Sequence, residues 1–150
     1  MNAPLMIKYF VLLLAGLCTA ACGSWVTRYD RGPTISLAVS TDPNQSESVQ
    51  AKLVQWAESN SFEHVLQDKS AHTLGGFTLM MRREDFAVHC TNMGNPSDLR
   101  IFIYKARRAR IRPTNDAAKE IAQQLAMVLQ TVDGVTAVRT TFEDRDSIQD

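Results

Sequence analysis

Three side-chain types in this chain could carry chemistry: the thiols of Cys18, Cys22 and Cys90, the imidazoles of His64, His72 and His89, and the guanidinium cluster in KARRARIR, residues 105–112. Two thiols four positions apart suit a disulfide staple, a pair of metal ligands, or a site of covalent modification. A histidine next to a cysteine, as in His89-Cys90, suggests a base beside a nucleophile. Five basic residues, Lys105, Arg107, Arg108, Arg110 and Arg112, fall within eight positions. Guanidinium forks in such a run pair with phosphate or carboxylate in two-point fashion.

Each possibility depends on the element that carries it. Residues 86–92, FAVHCTN, have the composition of a strand, and successive strand residues point to opposite faces. Cys90 then shares the face of Phe86 and Val88 as a small buried hydrophobe, while His89 looks the other way. The three histidines show no i, i+4 pair on a helix and no CxxC partner, whereas a metal site needs three or four convergent ligands. No metal and no cofactor is therefore expected. No GxSxG elbow, HExxH helix, phosphate loop or dinucleotide fingerprint occurs either. With 16 Lys plus Arg against 16 Asp plus Glu, bulk electrostatic binding to nucleic acid is not expected.

The N-terminus reads MNAPLMIKYFVLLLAGLCTAAC: one charge at Lys8, a short apolar centre, then small residues. That is the three-part form of a secretory signal, and its apolar run is shorter than the roughly 18 residues of a membrane span. The residues Thr19-Ala20-Ala21-Cys22 resemble the lipobox of bacterial lipoproteins. The resemblance implies that Cys22 takes a diacylglyceryl group, that residues 1–21 are removed, and that Cys18 leaves with them. Cys90 is then the sole remaining thiol, so neither staple nor metal pair survives. Acyl chains on Cys22 would hold the protein at a membrane essentially permanently. Gly23 and Ser24 follow with no Asp, which by the same resemblance implies the outer membrane of a Gram-negative envelope, facing the periplasm.

Beyond the signal, residues 22–33 read as a lipidated tether, 34–143 as one domain, and 144–150 as an acidic tail. TISLAVS (34–40) alternates as a half-buried strand. Residues 46–59 place Val49, Leu53, Trp56 and Ala57 on one helix face, Asn60 suits its C-terminal cap, and Phe62, Val65 and Leu66 return to the core. Strands follow at 77–82, 86–92 and 99–110. A helix at 115–132 carries Ala118, Ile121, Leu125, Val128 and Val132, ending at Asp133-Gly134. A last strand spans 135–143. The order implies an α+β fold: an antiparallel sheet of about five strands with two helices on one face, a ferredoxin-like sandwich with an added strand.

Phe102 and Tyr104 alternate with Ile101 and Ile103, so their strand is apolar on both sides where helices cover one. The second side needs a cover: the 62–74 segment, a second copy, or another protein. Met80, Met81 and Met93 suit either core filling or an adaptable face. The basic run suits a strand that outruns the sheet, its charges solvated and opposing edge-to-edge pairing. Its functional alternative is contact with anionic lipid or lipopolysaccharide headgroups.

Together these features lead to a small, non-enzymatic, lipid-anchored periplasmic protein that binds another envelope protein, as an accessory subunit or immunity-type inhibitor. The candidate binding residues are Phe102, Tyr104 and the basic run. A headgroup binder working through 105–112 is the alternative, and a hydrolase using Cys90 or His89 lacks a third group to orient its base.

Overall fold

Apolar alternation places one side of the strand segments 35–41, 77–82, 86–91 and 98–105 under cover, and two less buried strands extend the sheet at its edges. The structure, a computed structural model, describes residues 28–68 and 76–142. The signal-like run 1–21, Cys22, His72 and the acidic tail 144–150 lie outside the described residues.

Strand β1 (Ile35–Thr41) leads through a single 3-10 turn (Pro43–Gln45) into α1 (Ser46–Ser59). Four strands follow, β2 (Glu63–Asp68), β3 (Phe77–Arg82), β4 (Phe86–Thr91) and β5 (Asp98–Lys105), then α2 (Asn115–Gln130) and β6 (Val135–Phe142). The sheet order is β2-β3-β4-β5-β1-β6, antiparallel throughout. The fold is α+β, one six-stranded antiparallel sheet with two helices, and one strand more than the alternation indicates. The added edge strand β2 carries Val65 and Leu66, which are 48% and 37% exposed rather than returned to the core. Its sequence, EHVLQD, lacks the clean alternation that marks a half-buried strand.

The helix-covered face is dry. Ile35, Leu37 and Val39 of β1, Leu79 and Met81 of β3, Val88 and Cys90 of β4, and Leu99, Ile101 and Ile103 of β5 are buried there. They form one cluster with Val49, Leu53, Trp56 and Ala57 of α1 and with Ala118, Ile121, Ala122, Leu125 and Leu129 of α2. Burial of each Leu or Ile contributes roughly 1.5–3 kcal/mol. Helix α1 packs on β2 and β3 and α2 on β1, β5 and β6, so the helices divide the face between them. Buried Asn92 closes the β3–β4 end, its Oδ1 accepting from the Phe77 amide at 2.7 Å.

The helix ends are set locally. The Thr114 hydroxyl accepts from the Ala117 amide at 3.1 Å and opens α2, satisfying one of the donors a helix start leaves unpaired. Asn60 closes α1, its side-chain amide donating to the Trp56 carbonyl at 2.8 Å. Helix α2 stops earlier than its apolar stripe, at Gln130, where the Thr131 hydroxyl donates to the Val128 carbonyl at 2.6 Å. Gly134 lies beyond that cap, in the turn into β6, with φ 86°.

A Cβ at position 134 would meet Gln45 Cγ at 2.8 Å and Asp42 Cβ at 3.0 Å, on a backbone conformation L-residues resist. Gly134→Ala is therefore expected to lower the urea-unfolding free energy by about 1–3 kcal/mol. Gly94→Ala, with nothing within 4 Å of the added methyl, is the matched control and should change stability by less than about 0.5 kcal/mol.

Candidate functional site

The helices leave the second face of the sheet to be filled by its own side chains. Strand register sets Val65, Met80, His89 and Phe102 side by side across β2, β3, β4 and β5, continued by Ser36 on β1 and Thr141 on β6. With neighbouring strands about 4.8 Å apart, the four larger side chains make a row about 15 Å long. Met80, His89 and Phe102 are half-buried, screened by one another and by adjacent rows. The His89 and Phe102 rings lie 6.2 Å apart, tilted by 34°. On one flank stand Thr78, Thr91 and Arg100; on the other, Arg82, Ala87 and Tyr104. The result is an apolar strip with a polar and basic border.

Phe102 and Tyr104, singled out from sequence, both lie on this face and are half-buried. Val65, Met80 and His89 complete the row only because three strand registers align them, which no local spacing announces. The 62–74 segment is one of three candidate covers for this face, and its described residues 63–68 instead extend the sheet edge as β2. Met81 is core, while Met80, its neighbour, belongs to the open face.

One end of the face is covered by the chain entering the domain. Tyr29 is 3% exposed and packs with Ala87 and Ala106, beside Tyr104 and Ala109. It bridges to Ala106, and its hydroxyl donates to the Arg83 carbonyl at 2.9 Å. Residues 28–30 of the expected tether are thus part of the domain's packing. Arg83 anchors the adjacent turn: it forms a two-point pair with Asp85 at 2.6 and 3.0 Å, donates to the Asn60 carbonyl at 3.0 Å, and lies 4.5 Å over the Phe62 ring. No sequence pattern marks this cluster, because Tyr29, the Asn60–Phe62 stretch and Arg83 lie in three separate segments.

The basic run departs from its expected form. Only Lys105 belongs to β5, which ends there, and β5 lies between β4 and β1 instead of at an edge. Residues 107–114 form a loop into α2, so edge protection does not explain their charge. Past the Tyr29–Ala106 bridge the Arg107 amide still donates to the Arg28 carbonyl at 2.8 Å, and the Thr114 cap then opens α2. Lys105 donates to Asn115 Oδ1 at 2.7 Å, and Arg107 lies 3.6 Å from Asp30. Arg108, Arg110 and Arg112 are exposed. Arg110, Ile111 and Arg112 line a cleft of about 550 Å³ together with Glu84, Asp85 and Phe86.

Cys90 and His89 take opposite faces, as the pleat requires. Cys90 is wholly buried and its thiol is pushed far above its ordinary value by desolvation, which suppresses the nucleophilic thiolate. His64 is half-buried on β2, on the side of Met81. Among the described residues, no three His, Cys, Asp or Glu side chains are grouped to hold a metal ion. No protein-family model, curated protein or solved structure matches this chain.

Burial lowers the His89 pKa from its ordinary 6.5. The folded protein therefore favours neutral imidazole, and below pH 6.5 the unfolded chain binds the proton first. His89 should contribute stability that is complete above that pH and is lost as pH falls through the folded-state pKa. The measurement is the urea midpoint at pH 7.5 and pH 5.0 for wild type and His89→Asn. The variant should lose part of the acid-side decline; equal declines would show that His89 does not contribute to it.

Proposed function

We propose that this chain is a non-enzymatic, lipid-anchored protein of the Gram-negative envelope, facing the periplasm, whose open sheet face docks another envelope protein. The observation that carries the reading is the apolar row Val65, Met80, His89 and Phe102, with Tyr104 beside it, on the face opposite both helices. A flat strip with a polar border suits a protein surface, since small-molecule sites are concave. A cleft of about 240 Å³ lies at the border of the strip, lined by Arg28, Tyr29, Glu63 and Arg82 among others, and one of about 380 Å³, lined by Lys52 and Asp133 among others, involves none of the row. The anchor rests on the lipobox-like TAAC at residues 19–22. The non-enzymatic reading is supported by the burial of Cys90 and its separation from His89 across the sheet.

Two measurements test the two halves. Cys22→Ser should move the protein out of the membrane fraction after a high-salt wash; retention there would end the lipoprotein reading. A photoreactive benzoylphenylalanine in place of Phe102 should give a discrete crosslink to another envelope protein in intact cells. The same probe in place of Met127, exposed on α2, should not. Met80→Asp should reduce the Phe102 crosslink by about tenfold or more, as loss of a buried anchor does. Equal labelling from positions 102 and 127 would overturn the docking face.

A further inference from the structure

The chain enters the domain directly beside the basic loop. The Arg107 amide donates to the Arg28 carbonyl at 2.8 Å, and the Asp30 amide donates to the Lys105 carbonyl at 2.9 Å. Buried Tyr29 and its bond to Arg83 hold this entry in place. Five residues separate Cys22 from Arg28. Even fully extended, that stretch spans no more than about 20 Å. If Cys22 is lipidated, Arg28 and the Arg107 backbone beside it lie within about that distance of the bilayer whatever path the stretch takes.

The loop has the composition of a membrane contact. Arg107, Arg108, Arg110 and Arg112 surround Ile111, which is 82% exposed, the most open of the large apolar side chains described. Among the described residues none forms an ion pair with Arg108, Arg110 or Arg112. Half-buried Ala109 and Pro113 tie the loop to the domain on either side of the Arg110-Ile111-Arg112 tip. Guanidinium groups bind phosphate oxygens in pairs, and an aliphatic side chain between them suits the boundary of headgroups and acyl chains. Each basic residue near an anionic leaflet strengthens binding about fivefold. The tether makes the encounter intramolecular, so weak attraction suffices.

We propose that the 107–112 loop rests on anionic phospholipid headgroups of the leaflet that holds the anchor, with Ile111 at the interface, and thereby sets the domain's orientation. This rests on the anchor reading for its confinement, although the loop's own chemistry is independent of it. Since β1 begins and β5 ends at this end of the sheet, the strands rise from the membrane. The open face then looks along the bilayer, where an envelope partner can meet it. One competitor lies within the chain: β6 ends at Phe142 opposite Ile35, and the acidic residues Glu143, Asp144 and Asp146 follow it in sequence.

The test uses the full protein purified from membranes and reconstituted into vesicles of 3:1 phosphatidylethanolamine to phosphatidylglycerol. Benzoylphenylalanine replaces Ile111, or Met127 on α2 as control, and lipid adducts are read by intact mass. The expected result is at least fivefold more phospholipid adduct from position 111 than from 127. It should fall severalfold in 0.5 M salt, in phosphatidylcholine vesicles, or with Arg108→Gln, Arg110→Gln and Arg112→Gln together. The salt and lipid arms need no substitution in the loop, so a misfolded triple variant does not decide the outcome. Flotation with vesicles in 0.5 M salt reads the anchor separately. Flotation with equal adducts from 111 and 127 overturns the loop proposal and leaves the anchor. Loss of flotation in high salt with selective adducts at 111 in low salt upholds the loop and removes the anchor. Adducts at 111 that appear only after Glu143→Gln, Asp144→Asn and Asp146→Asn would assign the loop to the chain's own tail and overturn the proposal.

Discussion

The structure depends on one asymmetry: both helices pack on the same face of a single sheet. The loops that carry the chain off β1 and β5 place α1 and α2 together, and each supplies an apolar stripe that the strands complete. That arrangement buries one set of alternate residues entirely, from Leu37 to Met81 to Ile101. It also obliges the other set to meet something besides a helix. Strands with small or polar residues on the second face, such as β1 with Ser36, Ala38 and Ser40, accept solvent readily. Strand β5 does not, because Phe102 and Tyr104 occupy that side.

The pleat that divides the faces also divides the chemistry. His89 and Cys90 are as close in sequence as two residues can be, yet the sheet lies between their side chains. Dry packing makes the thiol a hydrophobe, while partial burial among apolar neighbours makes neutral imidazole the favoured form of His89. The position of each group in the sheet accounts for its protonation. Apart from them, the described residues present an apolar strip on the open face and a basic loop at one end.

Those surfaces are linked through the entering chain. Tyr29 fills the end of the open face against Ala87 and Ala106, and in doing so fixes Arg28 beside Arg107. A single buried ring thus bounds the strip and couples the entering chain to the loop. The Arg83 cluster braces the same end, with its carbonyl bound to Tyr29 and its guanidinium shared among Asp85, Asn60 and the Phe62 ring.

Local periodicity alone determined much of this protein. The α1 span 46–59, the β3 span 77–82, the burial of Val49, Leu53, Trp56, Leu125 and Cys90, and the α+β class all follow from patterns of two and 3.6 residues. The two-sided apolar character of β5 was equally legible, because alternation reports both faces of a strand at once. Strand β2 was not, since Val65 and Leu66 stand at a half-exposed edge where hydrophobic alternation is weakly required. The basic run read as a strand edge, but β5 is internal and the arginines occupy a loop; strand order is a non-local pairing that composition does not encode. For the same reason Tyr29 read as tether and packs as core, and the row joining Val65, Met80, His89 and Phe102 exists only through the registers of four strands. Periodicity decides which side of an element is apolar, and only tertiary pairing decides what that side meets.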